Sequence, residues 1–198
     1  KVVSHHTYVL ASDGDLMEGV SQEAIAMAGH WKLNKLIALY DDNGISIDGP
    51  TSIADSVDQV KRFKSAGWAA ELIDGHDPKA IAAAITRAQK SSKPSLIACK
   101  TTIGYGAPTR AGTAKAHGEA LGADEIKLTR AALGWPHEPF VIPESAYSAW
   151  DGKRKGIEAE AAWSARFASY KAAHPALAAE LARRLKGELP KGFAQTAV

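Results

Sequence analysis

The chain has 198 residues, is 45% hydrophobic, and nearly balances 24 lysines and arginines against 22 aspartates and glutamates. That length and apolar share can bury a core, most simply as one domain, and the charge balance gives no bias toward nucleic acid or a membrane surface. Cys99 is the only cysteine, which excludes a disulfide framework and makes a reducing cytoplasm the default. No stretch approaches the roughly 20 apolar residues of a membrane span, and none reads as a signal peptide. In chain order, Tyr8-Val9-Leu10-Ala11 reads as a buried strand closed by the acidic turn Ser12-Asp13-Gly14-Asp15. Glu18 to His30 reads as a helix, with Val20, Ala24, Met27 and Ala28 at helical spacing. Leu36 to Tyr40 is a second strand, closed by Asp41-Asp42-Asn43-Gly44. Strand, helix, strand over this length is a βαβ unit with parallel strands, so both acidic turns are expected at one carboxyl edge, where open sheets place ligands. Asp13 and Asn43, about thirty positions apart, then offer a carboxylate and an amide oxygen to a hard cation such as Mg2+.

The alternation continues. Val57 to Ala66 reads as a helix stopped by Gly67, Trp68 to Ile73 as a strand, and Asp77-Pro78 as the N-cap and first residue of a helix reaching about Lys90. Within Gly75-His76-Asp77-Pro78, His76 reads as a residue that orders the loop rather than as a base. Leu96 to Thr101 is the next strand, and Cys99 within it reads as a small core residue. A glycine-rich connection, Gly104 to Gly122, follows at the carboxyl edge and is a candidate lid. Asp124 to Leu133 is helical; Pro136, Pro139 and Pro143 make an extended crossing; about 144 to 186 is helical, broken at His174-Pro175. Trp163, Phe167 and Tyr170 form one apolar stripe, packed on the domain or docked on another one. The basic residues Arg183, Arg184 and Lys186 read as structural, complementing a helix C-terminus. The fold class is α/β: an open, mainly parallel sheet with helices on both faces, followed by a helical region, with the division at 135/136.

Taken alone, each acidic turn is an ordinary turn. Their joint placement, and the motifs around them, carry a resemblance. Ser12 to Gly19 (SDGDLMEG), Leu39 to Gly49 (LYDDNGISIDG), Cys99 to Gly106 (CKTTIGYG), Ala116-His117-Gly118 and Leu133-Gly134-Trp135 together resemble the diphosphate-binding domain of the bacterial transketolases, in order over essentially the whole chain. The resemblance implies thiamine diphosphate and Mg2+ (or another divalent cation such as Ca2+) as cofactors, and transfer of a two-carbon ketol unit from a ketose phosphate to an aldose phosphate in the pentose phosphate pathway. It further implies a cytoplasmic homodimer that binds neither nucleic acid nor membrane. Residues 1–135 are then a diphosphate- and metal-binding domain whose first part lies outside the sequence. Residues 136–198 lead toward pyrimidine-binding and C-terminal domains, also outside it, and the segment alone is expected to be inactive because the glutamate that activates the cofactor belongs to the pyrimidine-binding domain.

By the same resemblance, Asp13 and Asn43 supply side-chain oxygens to the metal and Ile45 its backbone carbonyl. Gly14 lets backbone approach the diphosphate, where a Cβ would crowd it; Asn43 also belongs to the cofactor-binding set. Ile47 and Ile103 wall the thiazolium with apolar surface, although both read equally as strand-end core. His117 lies near diphosphate and substrate as a hydrogen-bond donor, and Glu18 connects paired sites at the subunit interface; these two are the catalytic candidates. Glu18 also reads as a first-turn glutamate. Three positions depart from the family pattern: Ser12 in place of a glycine, Asp15 in place of a small residue, and Ala114 in place of a second histidine. The alternatives are a deoxyxylulose-phosphate synthase or pyruvate-decarboxylating relative, a non-catalytic subunit, and a haloacid-dehalogenase-type phosphatase built on Asp13-Gly14-Asp15. For the phosphatase, Leu16-Met17-Glu18 fits poorly.

Overall fold

The structure is a computed structural model and describes residues 1–197. Two compact units form: one spans His5–Pro136, and the other comprises Lys1–Ser4 with the described residues from 137 on. In the larger unit, β1 (Thr7–Ser12), α1 (Asp13–Met17), α2 (Gly19–His30), β2 (Leu36–Asp42), a two-strand hairpin of β3 (Ile45–Ser46) and β4 (Gly49–Pro50), and a 3-10 turn (Thr51–Ile53) come first. They are followed by α3 (Gln59–Ser65), β5 (Ala69–Asp74), α4 (Pro78–Gln89), β6 (Ser95–Lys100), α5 (Ala114–Gly118) and α6 (Ala123–Ala132). The four long strands make one sheet in the order β1-β2-β6-β5, and every neighbouring pair is parallel. Parallel pairing sends all four carboxyl ends to one edge, where Ser12 lies opposite Asp41, and Asp42 and Asp74 lie opposite Lys100.

Alternation along the central strands divides the core into two layers. Ala38, Tyr40, Leu96 and Ala98 face Leu16, Ile25, Ala28, Phe63 and Trp68. Ile37, Ile97 and Cys99 face Ala84 and Ala88 of α4. Helices therefore cover both faces, and Cys99 sits in the core as a small apolar residue. Trp68, expected in β5, precedes it; its indole stands edge-on to Phe63 at 4.9 Å and donates from Nε1 to the Ile25 carbonyl at 2.9 Å. Asp77 caps α4 by accepting from Lys79 N at 2.8 Å, with Pro78 in the first turn as expected.

One expectation needs correction, and another holds only in part. β1 is not a buried strand in this chain: it is the edge of the sheet, and Leu10 on it is 83% exposed. In α2, Ala28 of the Val20, Ala24, Met27 and Ala28 set is buried together with Ile25 and Gly29, whereas Val20, Ala24 and Met27 are exposed. Gly29 explains the rotation, because a Cβ there would lie 1.7 Å from the Ala66 carbonyl oxygen. Close approach of α2 to the end of α3 thus requires glycine at 29, beside Ile25 and Ala28 on the buried face.

In the second unit, α7 (Glu144–Trp150), α8 (Lys153–Ala173), α9 (Pro175–Leu185) and α10 (Phe193–Thr196) follow one another. The break expected at His174-Pro175 separates α8 from α9, as the restriction before proline requires. Trp163 and Phe167 stack at 5.0 Å, and the Trp163 indole donates to the Val2 carbonyl at 2.9 Å. Arg183 and Arg184 both pair with Glu180, whose carboxyl is pulled down to about 2 by those bonds. Among the described residues no helix is long and apolar enough to cross a membrane.

Candidate functional site

The first acidic stretch folds as a helical turn, α1, rather than as a loop. Ser12 donates to the same Asp15 oxygen from its backbone N–H and from its hydroxyl, each at 2.8 Å. Those bonds hold the Asp15 carboxyl below its ordinary value. Ser12 and Asp15, the two departures at this turn, are therefore one internally satisfied pair. Asp15 being turned to Ser12 also counts against an Asp13–Asp15 phosphatase dyad.

With Asp15 engaged, Asp13 is left as the inward carboxylate. It is buried, 8% exposed, and among the described residues no basic side chain forms an ion pair with it. Its Oδ1 accepts a short hydrogen bond from the Tyr40 hydroxyl, and its Oδ2 accepts from Gly44 N at 3.1 Å. Burial first, then the Asp13 bond and charge, drive the Tyr40 phenol far above its usual range, so Tyr40 stays a proton donor. The backbone at Gly44 has φ +71°, which favours glycine and aims its N–H at Asp13. The expected meeting of the two acidic turns is thus made through Gly44, the neighbour of Asn43.

Asn43 is organised by its own turn. Its Oδ1 accepts from Ile45 N at 2.9 Å, and its Nδ2 donates to Asp41 Oδ2 at 3.1 Å. Asp41 in turn accepts a short bond from the Thr101 hydroxyl, and Asp42 pairs with Lys100 Nζ at 3.2 Å. Ile45 opens the β3–β4 hairpin, opposite Pro50. Beyond it Ile47 is 64% exposed. A Cβ on Gly118 would lie 3.3 Å from Ile47 Cγ1, so the hairpin and α5 are in contact. His117 lies exposed on α5, a short helix inside the glycine-rich connection. The Ile103 carbonyl accepts from Gly112 N at 2.9 Å, folding the start of that connection back on itself. Farther along, Glu125 accepts from Thr109 N and hydroxyl and from Arg110 N at 2.8, 2.9 and 3.2 Å, pinning the connection to α6. Glu18 lies exposed between α1 and α2 at the N-cap position of α2, where its side chain makes no cap bond.

These residues suit a hard cation with a diphosphate. Asp13 is an unpaired buried carboxylate whose two oxygens each keep a lone pair, and Asn43 adds an amide oxygen with one lone pair in use. Among the described residues no three His, Cys, Asp or Glu side chains converge as a metal centre. A cation here draws on the single carboxylate, neutral oxygens, water and phosphate, a set that fits Mg2+. Gly14 lies in a helical turn, where glycine costs about 1 kcal/mol relative to alanine. A Cβ there would meet nothing within 4 Å, so the space beside its backbone is open. Neither its backbone conformation nor packing requires a glycine there.

Tyr40, Thr101 and Lys100 escaped the sequence reading. Tyr40 looked like the last apolar residue of a strand; the available signal was a hydroxyl-bearing aromatic one position before an acidic turn. Lys100 ends β6 and Thr101 follows it, and only the β2–β6 register brings them to Asp42 and Asp41.

Comparison with known proteins adds an independent line. The family model described as "Transketolase, thiamine diphosphate binding domain" matches residues 1–190. Transketolase 2 of Escherichia coli (strain K12) is 50% identical over 198 residues, covering 99% of this chain and 30% of that protein. The chromosomal transketolase of Cupriavidus necator is 52% identical over 194 residues, 97% of this chain and 29% of its own length. Among solved structures, the Pichia stipitis transketolase in complex with sedoheptulose-7-phosphate superposes with TM-score 0.87 at 42% identity, over 98% of this chain and 29% of that one. The Leishmania mexicana transketolase gives 0.87 at 36% identity, over 96% and 29%. The chain spans about 30% of the length of the curated relatives it matches.

Proposed function

The chain belongs to the family of transketolase thiamine diphosphate binding domains, and from that premise we propose that it is the diphosphate- and metal-anchoring segment of a transketolase. In this reading Asp13 and Asn43 hold a divalent cation, Mg2+, through side-chain oxygens, with the Ile45 carbonyl as a third protein ligand. Gly14 admits the diphosphate against the backbone, Ile47 and Ile103 give an apolar wall, and His117 donates a hydrogen bond near the phosphate or the substrate. Glu18 communicates with a paired site. Thiamine diphosphate, when bound, supplies the carbanion chemistry of ketol transfer. The chain's own residues bind the cation, orient the diphosphate and exclude water from one side of the ring.

The observation that carries the proposal is the Asp13–Gly44 bond. It ties two turns distant in sequence into one acidic edge beside an open glycine backbone, and Lys100 pairs there with Asp42 rather than with Asp13. The family match supports the cofactor class. The larger claims rest on resemblance to longer relatives: sugar phosphates as donor and acceptor, the pentose phosphate pathway, a cytoplasmic homodimer, and inactivity of the segment alone.

The test is titration of thiamine diphosphate into the purified chain with and without Mg2+, followed by ketol transfer from xylulose 5-phosphate to ribose 5-phosphate. Saturable, Mg2+-dependent binding without turnover is the expected result. Turnover by the chain alone would overturn the expected inactivity. Absence of binding, both alone and after addition of the remaining segments of a transketolase, would overturn the anchoring role.

A further inference from the structure

We propose that His76 is a positioning residue for the wall of this site: it clamps the segment 102–105 at the Thr102 backbone and the Tyr105 ring and thereby sets Ile103. The inference rests on the cofactor reading above for its functional meaning, and on geometry alone for the clamp.

The turn that carries His76 is itself immobilised. Gly75 N donates to the Lys100 carbonyl at 2.8 Å. A Cβ on Gly75 would lie 2.5 Å from Thr101 Cγ2 and 2.9 Å from that carbonyl oxygen, so only glycine lets the β5–α4 turn approach the end of β6 this closely. His76 N donates to Asp74 Oδ1 at 2.8 Å, and Asp77 is engaged as the cap of α4. From this base the imidazole reaches over the carboxyl end of β6. Its Nε2 accepts from Thr102 N at 2.9 Å, which requires a lone pair there and so a neutral ring with its proton on Nδ1. The same ring stacks on Tyr105, centroids 4.1 Å apart and 25° between planes.

Both ends of the segment Thr102-Ile103-Gly104-Tyr105 are thus held by one side chain, and Ile103 lies between them. Gly104 has φ +65°, and a Cβ on it would meet Ala116 Cβ at 2.9 Å, so the clamped segment bears directly on α5, the helix of His117. His76 is exposed, and water competes with an exposed N–H···N bond. The stack keeps the ring in place and the bond fixes its rotation, so the two contacts act as a unit.

The experiment follows the amide of Thr102 and the methyl signals of Ile103 by NMR in the wild-type chain and in His76→Phe, His76→Gln and Tyr105→Leu. His76→Phe keeps a ring for stacking but has no acceptor. His76→Gln keeps an acceptor and loses the ring. With His76→Phe, Thr102 exchange accelerates about fivefold, the scale of one net hydrogen bond, and the Ile103 methyl shifts move. His76→Gln restores part of both, a rescue that a merely space-filling role does not give. Tyr105→Leu produces a smaller change of the same sign and serves if His76→Phe does not fold. Unchanged Thr102 exchange or unchanged Ile103 shifts in the folded variants would overturn the clamp. The same proteins are titrated with thiamine diphosphate and Mg2+. Wild-type affinity in a His76→Phe protein whose Thr102 has become fast would overturn the positioning role. No binding by the wild type strikes the cofactor reading and leaves the clamp to be judged on the amide and methyl signals.

Discussion

The two acidic turns look alike in sequence and are built in different ways. The first closes β1 as a helical turn, sends Asp15 back to Ser12 and leaves Asp13 buried with both oxygens held from outside, by Tyr40 and Gly44. The second closes β2 as a half-buried loop whose Asn43 bonds its own near neighbours, Ile45 and Asp41, while Thr101 and Lys100 hold Asp41 and Asp42. A buried carboxylate without a cation is costly, so the fold holds Asp13 with borrowed donors. A neutral, half-buried amide carries no such cost, and both of Asn43's partners lie within its own turn. The difference teaches where preorganisation resides: the Asp13 carboxylate depends on donors from β2 and the second turn, whereas the Asn43 amide is set by its own near neighbours.

The sharpest way to break this contrast is Asp13→Asn. The amide is isosteric and still offers one acceptor, so the fold persists, but the charge is gone. Mg2+-dependent thiamine diphosphate binding is expected to fall by more than about a hundredfold, because outer partners of metal ligands alone carry about ten- to hundredfold. Calorimetric titration checks it; binding within a few-fold of wild type would remove Asp13 from the metal site.

Next in size is Tyr40→Phe. It leaves the ring in the core beside Leu16 and Phe63 and deletes only the donor to Asp13 Oδ1. Affinity for Mg2+ with the cofactor should drop about tenfold. Stability should drop by about 1–3 kcal/mol, the cost of an under-bonded buried polar group, read as a shift of the urea midpoint without a change in slope. If Asp13 is merely a well-packed carboxylate, the stability loss appears and the affinity loss does not.

Much of this was legible beforehand, for a physical reason. Strand and helix periods are local properties, so β2, β6, α4 and the cap at Asp77 could be read from the chain, as could the parallel sheet covered by helices on both faces. The exposure of β1 and the outward face of α2 could not. Those depend on which strand lies at the edge and on the 1.7 Å conflict that only Gly29 avoids beside Ala66. In the site, Asp13, Gly14 and Asn43 stood out because turn-forming residues after strands are conspicuous. Tyr40 was hidden by its own hydrophobicity. His76 reads correctly as a loop-ordering residue, but its partner was hidden by distance: Thr102 lies 26 residues away in sequence and meets it only through the β5–β6 register.

The smallest effect concerns Asp15 and tests whether the first turn is self-contained where it departs from the family pattern. Its carboxyl is held below the ordinary 3.8, first by the Ser12 backbone N–H and then by the Ser12 hydroxyl, against a weaker opposing contribution from burial. A depressed folded value means stability that is complete above the unfolded value and lost as pH falls through the folded one. The loss is therefore confined to pH below about 3.8. Because the group is exposed, solvent screening keeps the contribution under about 1 kcal/mol. Asp15→Asn should flatten the acid limb of Ser12 amide exchange while leaving thiamine diphosphate binding at neutral pH within about twofold of wild type, since neither Tyr40 nor Gly44 bonds Asp15. A large loss of binding in Asp15→Asn would mean that the turn transmits its own order to Asp13, and the two acidic stretches would then differ less than their hydrogen bonds indicate.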